Sequence, residues 1–395
     1  MTLAPYAAEI IERLESAGYE ACAVGGCVRD SLMGLPVKDY DIATAASPEQ
    51  VRALFDRTAD TGAQFGTVTV IMPGGTCEVT TFRAEAGYDD YRRPASLRFG
   101  VSLEEDLARR DFTINAMAWH PVRGLTDLFG GRGDLEARLI RTVGRADECF
   151  CEDALRMLRA YRFAARLGFS LHEDTRAAIV RHAHLMRHVS AERVRDELWR
   201  ILQSDRPQVL AKCLANGLLT RYFPLVSIGL DELASLTRGP AQRLAFMLYR
   251  VFEGDLVCAC EAAGRLHFDN ATLLEVKNLF VLLQAGVLYN RADIKYLLRD
   301  FGYENLLSCA EMLPLLGSFD GERFIRVLDD IIASGECYRL DMLKVTGRDL
   351  VSLGFKEGPE VGRMLRYLLD LVITEPRHNN RKELLSVAAR CLRDL

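Results

Sequence analysis

The sequence has no apolar run of membrane-spanning length, so we expect no transmembrane segment and no membrane partner. Its first residues, MTLAPYAAEIIERLESAGY, predict an amphipathic helix and lack the basic start and apolar core of a signal peptide. Low-complexity segments are missing too, and no internal repeat is clear enough to indicate a solenoid. These absences favour an ordinary globular protein.

Paired metal-binding cysteines are missing as well. The 11 cysteines are scattered, and the two C-x-C pairs, Cys149/Cys151 and Cys258/Cys260, have no matching CxxC partner or nearby paired histidines. We therefore expect no structural zinc site, and we expect the reduced thiols of a cytoplasmic protein. The net charge of −5 shows no overall excess of basic residues, although nucleic-acid binding depends on local patches rather than on totals.

The length and the pattern of the chain indicate an α+β fold. A chain of 395 residues predicts two to four domains, and 49% hydrophobic with 27% charged residues is normal for a globular protein. Strand and helix signals mix over about the first 140 residues, whereas helical periodicity dominates from Glu152 onward. We expect a small head with a mixed β-sheet and helices, followed by an all-helical remainder.

The predicted elements of the head are short. YEACAVGG and DYDIAT are predicted strands, and two β-rich runs, GTVTVIM and TCEVTTFR, predict a hairpin around Pro73-Gly74-Gly75. The predicted helices are 3–17, 26–33 and 48–56, and the last has Ser47 as its cap and proline in its first position. Later helical segments are EDALRMLRAYRFAARLGF, AERVRDELWRILQ, RFIRVLDDIIASG and RKELLSVAARCLRDL.

Two aspartates, Asp39 and Asp41, flank a single tyrosine in KDYDIAT. On a strand they would project from the same face, and such carboxylates can bridge two Mg²⁺ ions about 4 Å apart. Glu78, on a neighbouring predicted strand, is the best candidate for a third catalytic carboxylate, either as a ligand or by orienting the attacking hydroxyl. The alternative is a solvated turn. We predict Mg²⁺ as the cofactor, with Asp39 and Asp41 as its ligands.

A glycine pair, Gly25-Gly26, ends the first predicted strand and precedes a helix. Glycines at such a turn let backbone N–H groups approach phosphates closely, and Arg29 one turn later could bind a triphosphate. The alternative is a tight strand–helix turn in which Arg29 pairs with Asp30 or Asp39.

Seven segments occur in an order that resembles the motif series of the class II tRNA nucleotidyltransferases, which share a superfamily with the poly(A) polymerases. These segments are GGCVRDSLMGLPVKDYDIAT, EVTTFR, YDDYRRP, EEDLARRDFTINAMAW, DLFGGRGDLEARLIRTVG, EDALRMLRAYRFAARLGF and SAERVRDELWRIL. The resemblance covers about residues 20–205. It implies addition of CCA, or part of it, to the 3′ end of tRNA from CTP and ATP, with release of diphosphate.

The resemblance also implies a domain order and leaves the oligomeric state open. The order is a nucleotidyltransferase head (1–140), a neck carrying the nucleotide-selecting helix (141–205), a body (206–320) and a tRNA-binding tail (321–395). Residues 138–202 contain 13 arginines, no lysine and nine acidic residues, so this stretch is basic in an acidic chain. Arginine suits bidentate phosphate contacts, which supports a nucleic-acid partner.

By the resemblance, RRDFTINAMAW reads the ribose of the nucleotide. Asp111 could accept a hydrogen bond from the 2′-hydroxyl, which distinguishes ribonucleotides from deoxyribonucleotides, with Asn115 close by. Arg110 could pair with the triphosphate or with Asp111. The alternative for Asp111 is an N-cap of the helical run that we expect to follow, and the two roles do not exclude each other.

The segment EDALR is predicted to select the base. On a helix Asp153 and Arg156 would share a face, and the alternative is a local salt bridge between them. Cytosine and adenine both present an exocyclic amine beside a ring-nitrogen acceptor, which one carboxylate and one guanidinium match. The resemblance gives Asp153 and Arg156 this role, with Glu152 orienting Arg156. The residues expected to support this helix are Arg159, Arg162, Glu192 and Arg193.

Other functions remain open at this point. The D-x-D could belong to a glycosyltransferase, or the chain could be a non-enzymatic RNA-binding protein. Within the family, an A-adding enzyme, a CC-adding enzyme or a poly(A) polymerase would share nearly every motif. Residues 86–96 predict a mobile loop, and Tyr88, Asp89, Arg92 and Arg93 could help to shift the base-selecting residues between C and A addition. The resemblance implies that family members that add A as well as C need a flexible loop here, so we expect complete CCA addition.

Overall fold

The computed structural model describes residues 1–62, 66–89, 93–286, 290–317 and 319–393. The chain divides into two compact units: residues 1–234 with 265–267, and residues 235–264 with 268–395. Among the helices of the described ranges, none is both long and apolar enough to cross a membrane.

The first unit contains a mixed seven-stranded sheet within its described residues, in the order β3-β4-β5-β2-β1-β8-β9. β2 and β5 are parallel, whereas the other neighbours in the sheet are antiparallel. The strands of the first unit are β1 (Ala21–Val24), β2 (Tyr40–Thr44), β3 (Thr58–Gly62), β4 (Thr67–Met72), β5 (Gly75–Thr81), β6 (Arg83–Asp89), β7 (Arg93–Phe99), β8 (Met117–His120), β9 (Gly124–Asp127), β10 (Leu139–Ile140) and β11 (Ser170–Leu171).

The sheet is covered on both faces, which explains why β1 is entirely buried. Ala21 and Ala23 belong to a core that also contains Ile10 and Leu14 of the first helix. The alternate residues Cys22 and Val24 face a second cluster on the other side. Successive strand residues point to opposite faces, so a strand between two cores has no polar face.

Three helices of the head match the predicted stretches: α1 (Pro5–Ser16), α2 (Gly26–Leu32) and α3 (Pro48–Leu54). Two further helices, α4 (Leu103–Ala108) and α5 (Gly131–Glu136), were not predicted. Ser47 caps α3 in a capping box with Gln50, and Pro48 occupies the first turn, as predicted. The predicted hairpin is also present: Met72 pairs with Gly75, and Gly74 has φ of +99° in the two-residue turn.

Helices dominate after residue 145, as expected, and with the mixed sheet of the head they confirm the α+β class. In chain order they are α6 (Ala146–Glu152), α7 (Leu155–Leu167), α8 (Glu173–His182), α9 (Ala191–Leu202), α10 (Leu210–Ala215), α11 (Pro240–Val251), α12 (Leu256–Arg265), α13 (Asn270–Ala285), α14 (Arg291–Phe301), α15 (Tyr303–Leu316), α16 (Gly321–Ala333), α17 (Gly347–Leu353), α18 (Pro359–Thr374) and α19 (Arg381–Arg393). Short 3₁₀ turns connect several of them, including Thr113–Asn115.

The second unit has its own apolar core. Leu350, Leu368, Ile373 and Leu384 lie in one buried cluster that joins α17, α18 and α19. A buried lysine, Lys295, also lies in this unit, with its Nζ 3.0 Å from a Glu336 carboxylate oxygen.

Three local predictions are wrong. The predicted loop 86–96 largely forms strands β6 and β7, which pair antiparallel, while residues 90–92 lie outside the described residues. A two-stranded ribbon is held by backbone hydrogen bonds, so it needs no apolar periodicity in its sequence.

The other two errors concern helices. EDALRMLRAYRFAARLGF is not one helix, because α6 ends at Glu152 and Asp153 is extended, with φ of −139° and ψ of 104°. The helical run expected after Asp111 is only a 3₁₀ turn that leads into β8, so Asp111 is not its N-cap. In both places the aspartate accepts hydrogen bonds from an arginine that is 40 or more positions away, as described below.

Candidate active site

The turn at Gly25-Gly26 joins β1 to α2. Gly25 has φ of +72° and ψ of −126°, and a Cβ there would lie 3.0 Å from Nη1 of Arg110. A residue with a side chain would be strained in this conformation and would crowd the arginine. Glycine therefore lets Arg110 pack against the start of α2.

Arg29 is buried beneath this turn. Its Nε donates to Asp30 at 2.8 Å and its Nη1 donates to the side-chain oxygen of Asn115 at 2.6 Å. The pairing with Asp30 is the alternative that the sequence left open. Burial lowers the pKa of Arg29, and the charge of Asp30 opposes that shift.

The three predicted catalytic carboxylates lie at neighbouring strands. Asp41 is paired in register with Glu78 across the parallel β2–β5 ladder, and Asp39 immediately precedes β2. Burial raises the pKa of Asp41 to about 6, with further contributions from the charges of Glu78 and Asp39. Within the described ranges, no basic side chain forms an ion pair with any of the three.

The carboxylates alone do not complete a metal site. No three His, Cys, Asp or Glu side chains in the described part of the chain are arranged as a group that could hold a metal ion. Glu78 is exposed, like Asp39, and is the register partner of Asp41.

A cleft of about 500 Å³ opens beside Asp41, and we call it the arginine cleft. Nine arginines and three aspartates contribute to its wall, together with Gly25, Gly26, Asn115 and Phe163. The arginines are Arg29, Arg83, Arg109, Arg110, Arg156, Arg159, Arg162, Arg166 and Arg193, and the aspartates are Asp41, Asp111 and Asp153. Such a wall attracts a strongly anionic ligand.

Asp111 is buried in this wall and is fully engaged. Its carboxylate accepts two hydrogen bonds from Arg159, at 2.6 and 2.9 Å, a third from Asn115 at 3.1 Å and a fourth from the backbone N–H of Phe112 at 2.9 Å. Burial alone would raise the pKa of Asp111, but the charge and hydrogen bonds of Arg159, with the bond from Asn115, lower it to about 2. The carboxylate therefore stays ionised at neutral pH.

Asp153 and Arg156 are held separately and do not pair with each other as a local salt bridge. Asp153 accepts hydrogen bonds from both terminal nitrogens of Arg193, at 2.7 and 3.2 Å, and from the backbone N–H of Leu155. Arg156 donates to Glu152 at 2.6 Å and to the backbone oxygen of Arg109 at 3.0 Å. These bonds fix the orientation of one carboxylate and one guanidinium in the same cleft.

Arg162 crosses the base of the cleft beside Phe163. It donates to the buried carboxylate of Glu197, and its guanidinium carbon lies 4.0 Å from the centre of the Phe163 ring. Burial lowers the pKa of Arg162 to about 10, although Glu197 opposes the shift. Arg29 and Arg159 lie near the same ring, at 5.2 and 5.7 Å.

Sequence reasoning missed two buried carboxylates that organise these arginines. Glu197 holds Arg162 and also contacts Arg159 and Arg200. Asp106 holds Arg109 at 2.7 Å and Arg110 at 3.0 Å. The sequence did offer a signal for them, since each is an acidic residue beside the apolar face of an amphipathic helix. A charge buried at such a position requires a basic partner.

The cleft brings together twelve of the sixteen predicted site residues, and four lie elsewhere. Glu152 stands behind Arg156, Asp39 lines an adjoining cleft, and Glu78 lines neither cleft. Glu192 is also outside: it is exposed and contacts Nδ1 of His267 at 2.8 Å.

Comparison with known proteins identifies relatives of nearly the same length. Residues 21–141 match the Poly A polymerase head domain family, and residues 168–228 match the family described as the probable RNA and SrmB-binding site of polymerase A. The chain is 39% identical to a CCA-adding enzyme of Lactobacillus delbrueckii subsp. bulgaricus over 94% of both chains. It is 39% identical to a CCA-adding enzyme of Latilactobacillus sakei, covering 98% of this chain and 99% of the relative.

A solved structure has the same architecture. The crystal structure of a Bacillus stearothermophilus CCA-adding enzyme in complex with CTP aligns with a TM-score of 0.83 and 32% identity, covering 99% of both chains. The shared architecture and the identity along nearly the whole length lead to one conclusion. The chain belongs to the family of CCA-adding enzymes, which are nucleotidyltransferases.

Proposed function

We propose that this chain adds CCA to the 3′ end of tRNA from CTP and ATP, without a nucleic-acid template, and releases diphosphate. The observation that carries the proposal is the arginine cleft. It contains Asp41 at one edge, and its wall includes the carboxylate of Asp153 and the guanidinium of Arg156, each held in place by other residues. The names of the relatives, CCA-adding enzymes, support the same activity.

The arginines give the cleft the charge that a triphosphate needs. Nine basic and three acidic side chains leave an excess of six positive charges in the wall. Backbone N–H groups at the start of α2, after Gly25, can approach phosphate oxygens closely. We assign Arg29 and Arg110 to this end of the cleft, where each keeps its guanidinium fixed by a carboxylate, Asp30 or Asp106.

Asp111 and Asn115 are assigned to the ribose. The low pKa of Asp111 keeps its carboxylate an acceptor at neutral pH, and it now accepts four hydrogen bonds, from Arg159, Asn115 and the backbone N–H of Phe112. A 2′-hydroxyl would take the place of one of these donors, whereas a deoxyribose has no hydroxyl to donate.

Asp153 and Arg156 are assigned to base selection. A carboxylate accepts from the exocyclic amine of cytosine or adenine, and a guanidinium donates to the adjacent ring nitrogen. Uracil and guanine present a carbonyl and an N–H in the reverse order, so each would oppose a like group. The bonds from Arg193 and to Glu152 keep the two side chains in place while the base changes.

Nucleotidyltransferases of this family generally use divalent metal ions, and the carboxylates at the edge of the cleft fit such an ion. Asp39 and Asp41 are hard oxygen donors, the charge of Asp39 helps to raise the pKa of Asp41, and neither forms an ion pair with a basic side chain among the described residues. We propose that they hold Mg²⁺, which when bound supplies charge to the reacting phosphate and hydroxyl. We propose that the negative charge of Glu78 also acts on the reacting groups, from the same side as Asp39 and Asp41.

The transfer itself needs two substrates in line. The 3′-hydroxyl oxygen of the RNA forms a bond to the α-phosphorus while the bond to the diphosphate breaks, and the hydroxyl proton is lost to solvent.

We also propose the order of head (1–140), neck (141–205), body (206–320) and tRNA-binding tail (321–395), and activity in the cytoplasm, where tRNA is used.

The test is incubation of a tRNA transcript lacking CCA with CTP and ATP, separately and together, in Mg²⁺. We expect two C residues with CTP alone and CCA with both nucleotides. Addition of only C residues, only A, or a long A tract would reassign the chain to a CC-adding enzyme, an A-adding enzyme or a poly(A) polymerase. Asp41→Ala serves as the inactive control.

A further inference from the structure

A cluster of nucleophilic and titratable side chains lies outside the arginine cleft, where α6 and α8 of the first unit pack together. Its members are Asp147 and Cys151 of α6 and His182, the last residue of α8. The sulfur of Cys151 is 3.9 Å from Nδ1 of His182, and Nε2 of the same ring is 2.8 Å from a carboxylate oxygen of Asp147. We call these three residues the thiol triad.

The carboxylate of Asp147 fixes the tautomer of the imidazole. Hydrogen bonds from Arg181 and His182 lower the pKa of Asp147, so this carboxylate is ionised at neutral pH and can only accept hydrogen bonds. The hydrogen bond between His182 and Asp147 therefore requires the proton on Nε2. In the neutral ring this leaves the lone pair of Nδ1 on the side of the Cys151 sulfur.

A thiol, a base and a group that orients the base form the arrangement that activates a nucleophile. Cys151 needs such a base, because burial and the charges of Asp147 and Glu152 raise the pKa of its thiol and keep it protonated at neutral pH. His182 is placed to take this proton as the sulfur reacts. The thiol is also within reach of a reagent, since Cys151 is only half-buried, whereas Cys149 on the same helix is buried.

A cavity of about 330 Å³ opens beside Asp147. The arginines in its wall are Arg141, Arg145 and Arg181, and the acidic residues are Asp147 and Asp174. Arg145 and Arg181 are 76% and 54% exposed, so both keep donors for a ligand with carboxylate groups. Asp147 and Cys151 are four residues apart on α6, so their side chains are neighbours and the cavity lies close to the sulfur.

We propose that Cys151 is a site of reversible modification by a small disulfide that carries carboxylate groups. The sulfur of Cys151 bonds to one sulfur of the disulfide while the S–S bond of the disulfide breaks. His182 takes the thiol proton and returns it to the departing thiolate, so the products are a mixed disulfide on Cys151 and one free small thiol. Cys151 is oxidised, the departing half of the disulfide is reduced, and an excess of small thiol reverses the reaction.

The modification has a route to the base-selecting residues, because they follow Cys151 directly in the chain. Glu152 accepts from Arg156 at 2.6 Å, and α6 ends there, before Asp153. An adduct on Cys151 needs space between α6 and α8 and therefore displaces the end of α6. The consequence, which rests on the proposed function, is weaker binding of CTP and ATP in the modified protein.

The test compares two thiols within one protein. The full chain is treated with oxidised glutathione at neutral pH and quenched with acid, and the adduct on each cysteine peptide is followed over time by mass spectrometry. Cys258, an exposed thiol of the second unit, is the internal reference. We expect Cys151 to react at least as fast as Cys258 although it is less exposed. In His182→Gln, which lacks the base, the rate at Cys151 should fall about tenfold or more while the rate at Cys258 stays the same.

His184→Gln is the matched control, because His184 lies two residues further on and its Nδ1 is 3.1 Å from the backbone oxygen of Arg181. A slower reaction at Cys151 than at Cys258 in the parent, an unchanged rate at Cys151 in His182→Gln, or an equal loss in the control would overturn the thiol triad.

Cystamine, a cationic disulfide, tests the class of ligand. We expect the ratio of Cys151 to Cys258 modification to be lower with cystamine than with oxidised glutathione. An equal or higher ratio would overturn the preference for carboxylate groups.

The effect on function is measured separately. The parent and Cys151→Ser, both treated with oxidised glutathione, are assayed for CMP addition before and after dithiothreitol. We expect KM for CTP to rise about tenfold in the treated parent, to recover with dithiothreitol and to stay unchanged in Cys151→Ser. An equal rise in Cys151→Ser would overturn the link between Cys151 and the nucleotide site. An untreated chain that adds no nucleotide but forms the adduct on Cys151 would instead reject the proposed function alone.

Discussion

Replacement of Asp153 by alanine should relax the choice of base. Asp153 is largely buried, with 16% of its side chain exposed, and accepts from Arg193 at 2.7 and 3.2 Å. Its loss removes the acceptor for the exocyclic amine and also leaves Arg193 without this carboxylate. A bidentate base contact is worth about 1–3 kcal/mol of discrimination, so the preference for CTP over UTP should fall about 5- to 150-fold.

The assay is single-turnover incorporation of CTP, UTP, ATP and GTP into a tRNA transcript, expressed as kcat/KM ratios. Arg193→Ala keeps the carboxylate but loses its orientation, so we expect a smaller relaxation. Asp147→Ala is the matched control, because Asp147 lies on α6, just before Asp153, and pairs with Arg181 at 2.8 Å outside the arginine cleft. An unchanged CTP to UTP ratio in a folded Asp153→Ala variant would refute selection by this carboxylate.

Three further predictions concern the carboxylates and the β6–β7 hairpin. Asp39→Ala or Asp41→Ala should abolish nucleotide addition in Mg²⁺ while tRNA binding, measured by filter retention, stays near that of the parent; full activity in either would reject the metal assignment. Folding lowers the pKa of Asp111 to about 2, so below about pH 4 the unfolded chain binds a proton at this group that the folded chain does not. About 2 kcal/mol of folding stability is therefore lost by pH 2. Asp111→Asn should lack this acid dependence in urea unfolding curves from pH 3 to 7, and a parallel dependence in both proteins would assign it to other groups. A short glycine linker in place of residues 88–93 should spare C addition to a tRNA lacking CCA and strongly reduce A addition to a tRNA ending in CC; A addition at the parent rate would exclude a role for this segment.

The elements of the head were predictable because their signals are local. The Ser47 capping box and the turn at Pro73-Gly74 depend on residues within a few positions of each other. The same holds for the apolar periodicity of α1 and α16, which follow the sequence pattern within a few residues. The hairpin β6–β7 escaped prediction because its pairing is between backbone groups, which leave little trace in side-chain type.

The candidate site was predictable in composition but not in pairing. The motif residues identified the charges that would meet, and twelve of the sixteen residues line one cleft. The partner of Asp153 is 40 positions away at Arg193, and that of Asp111 is 48 positions away at Arg159. Spacing along a helix suggests partners three or four residues apart, so it gave Arg156 as the local partner of Asp153.

The sequence by itself therefore determined the α+β class, the order of a sheet-containing head before a helical remainder, and the chemical groups of the site, because these follow from local propensity and from ordered motifs. Only the tertiary structure decided the break at Asp153, the burial of Asp106 and Glu197, and the meeting of two clefts at Asp41. Each of these depends on groups far apart in the chain. A buried charge is stable only beside its partner, and the fold alone brings the two together.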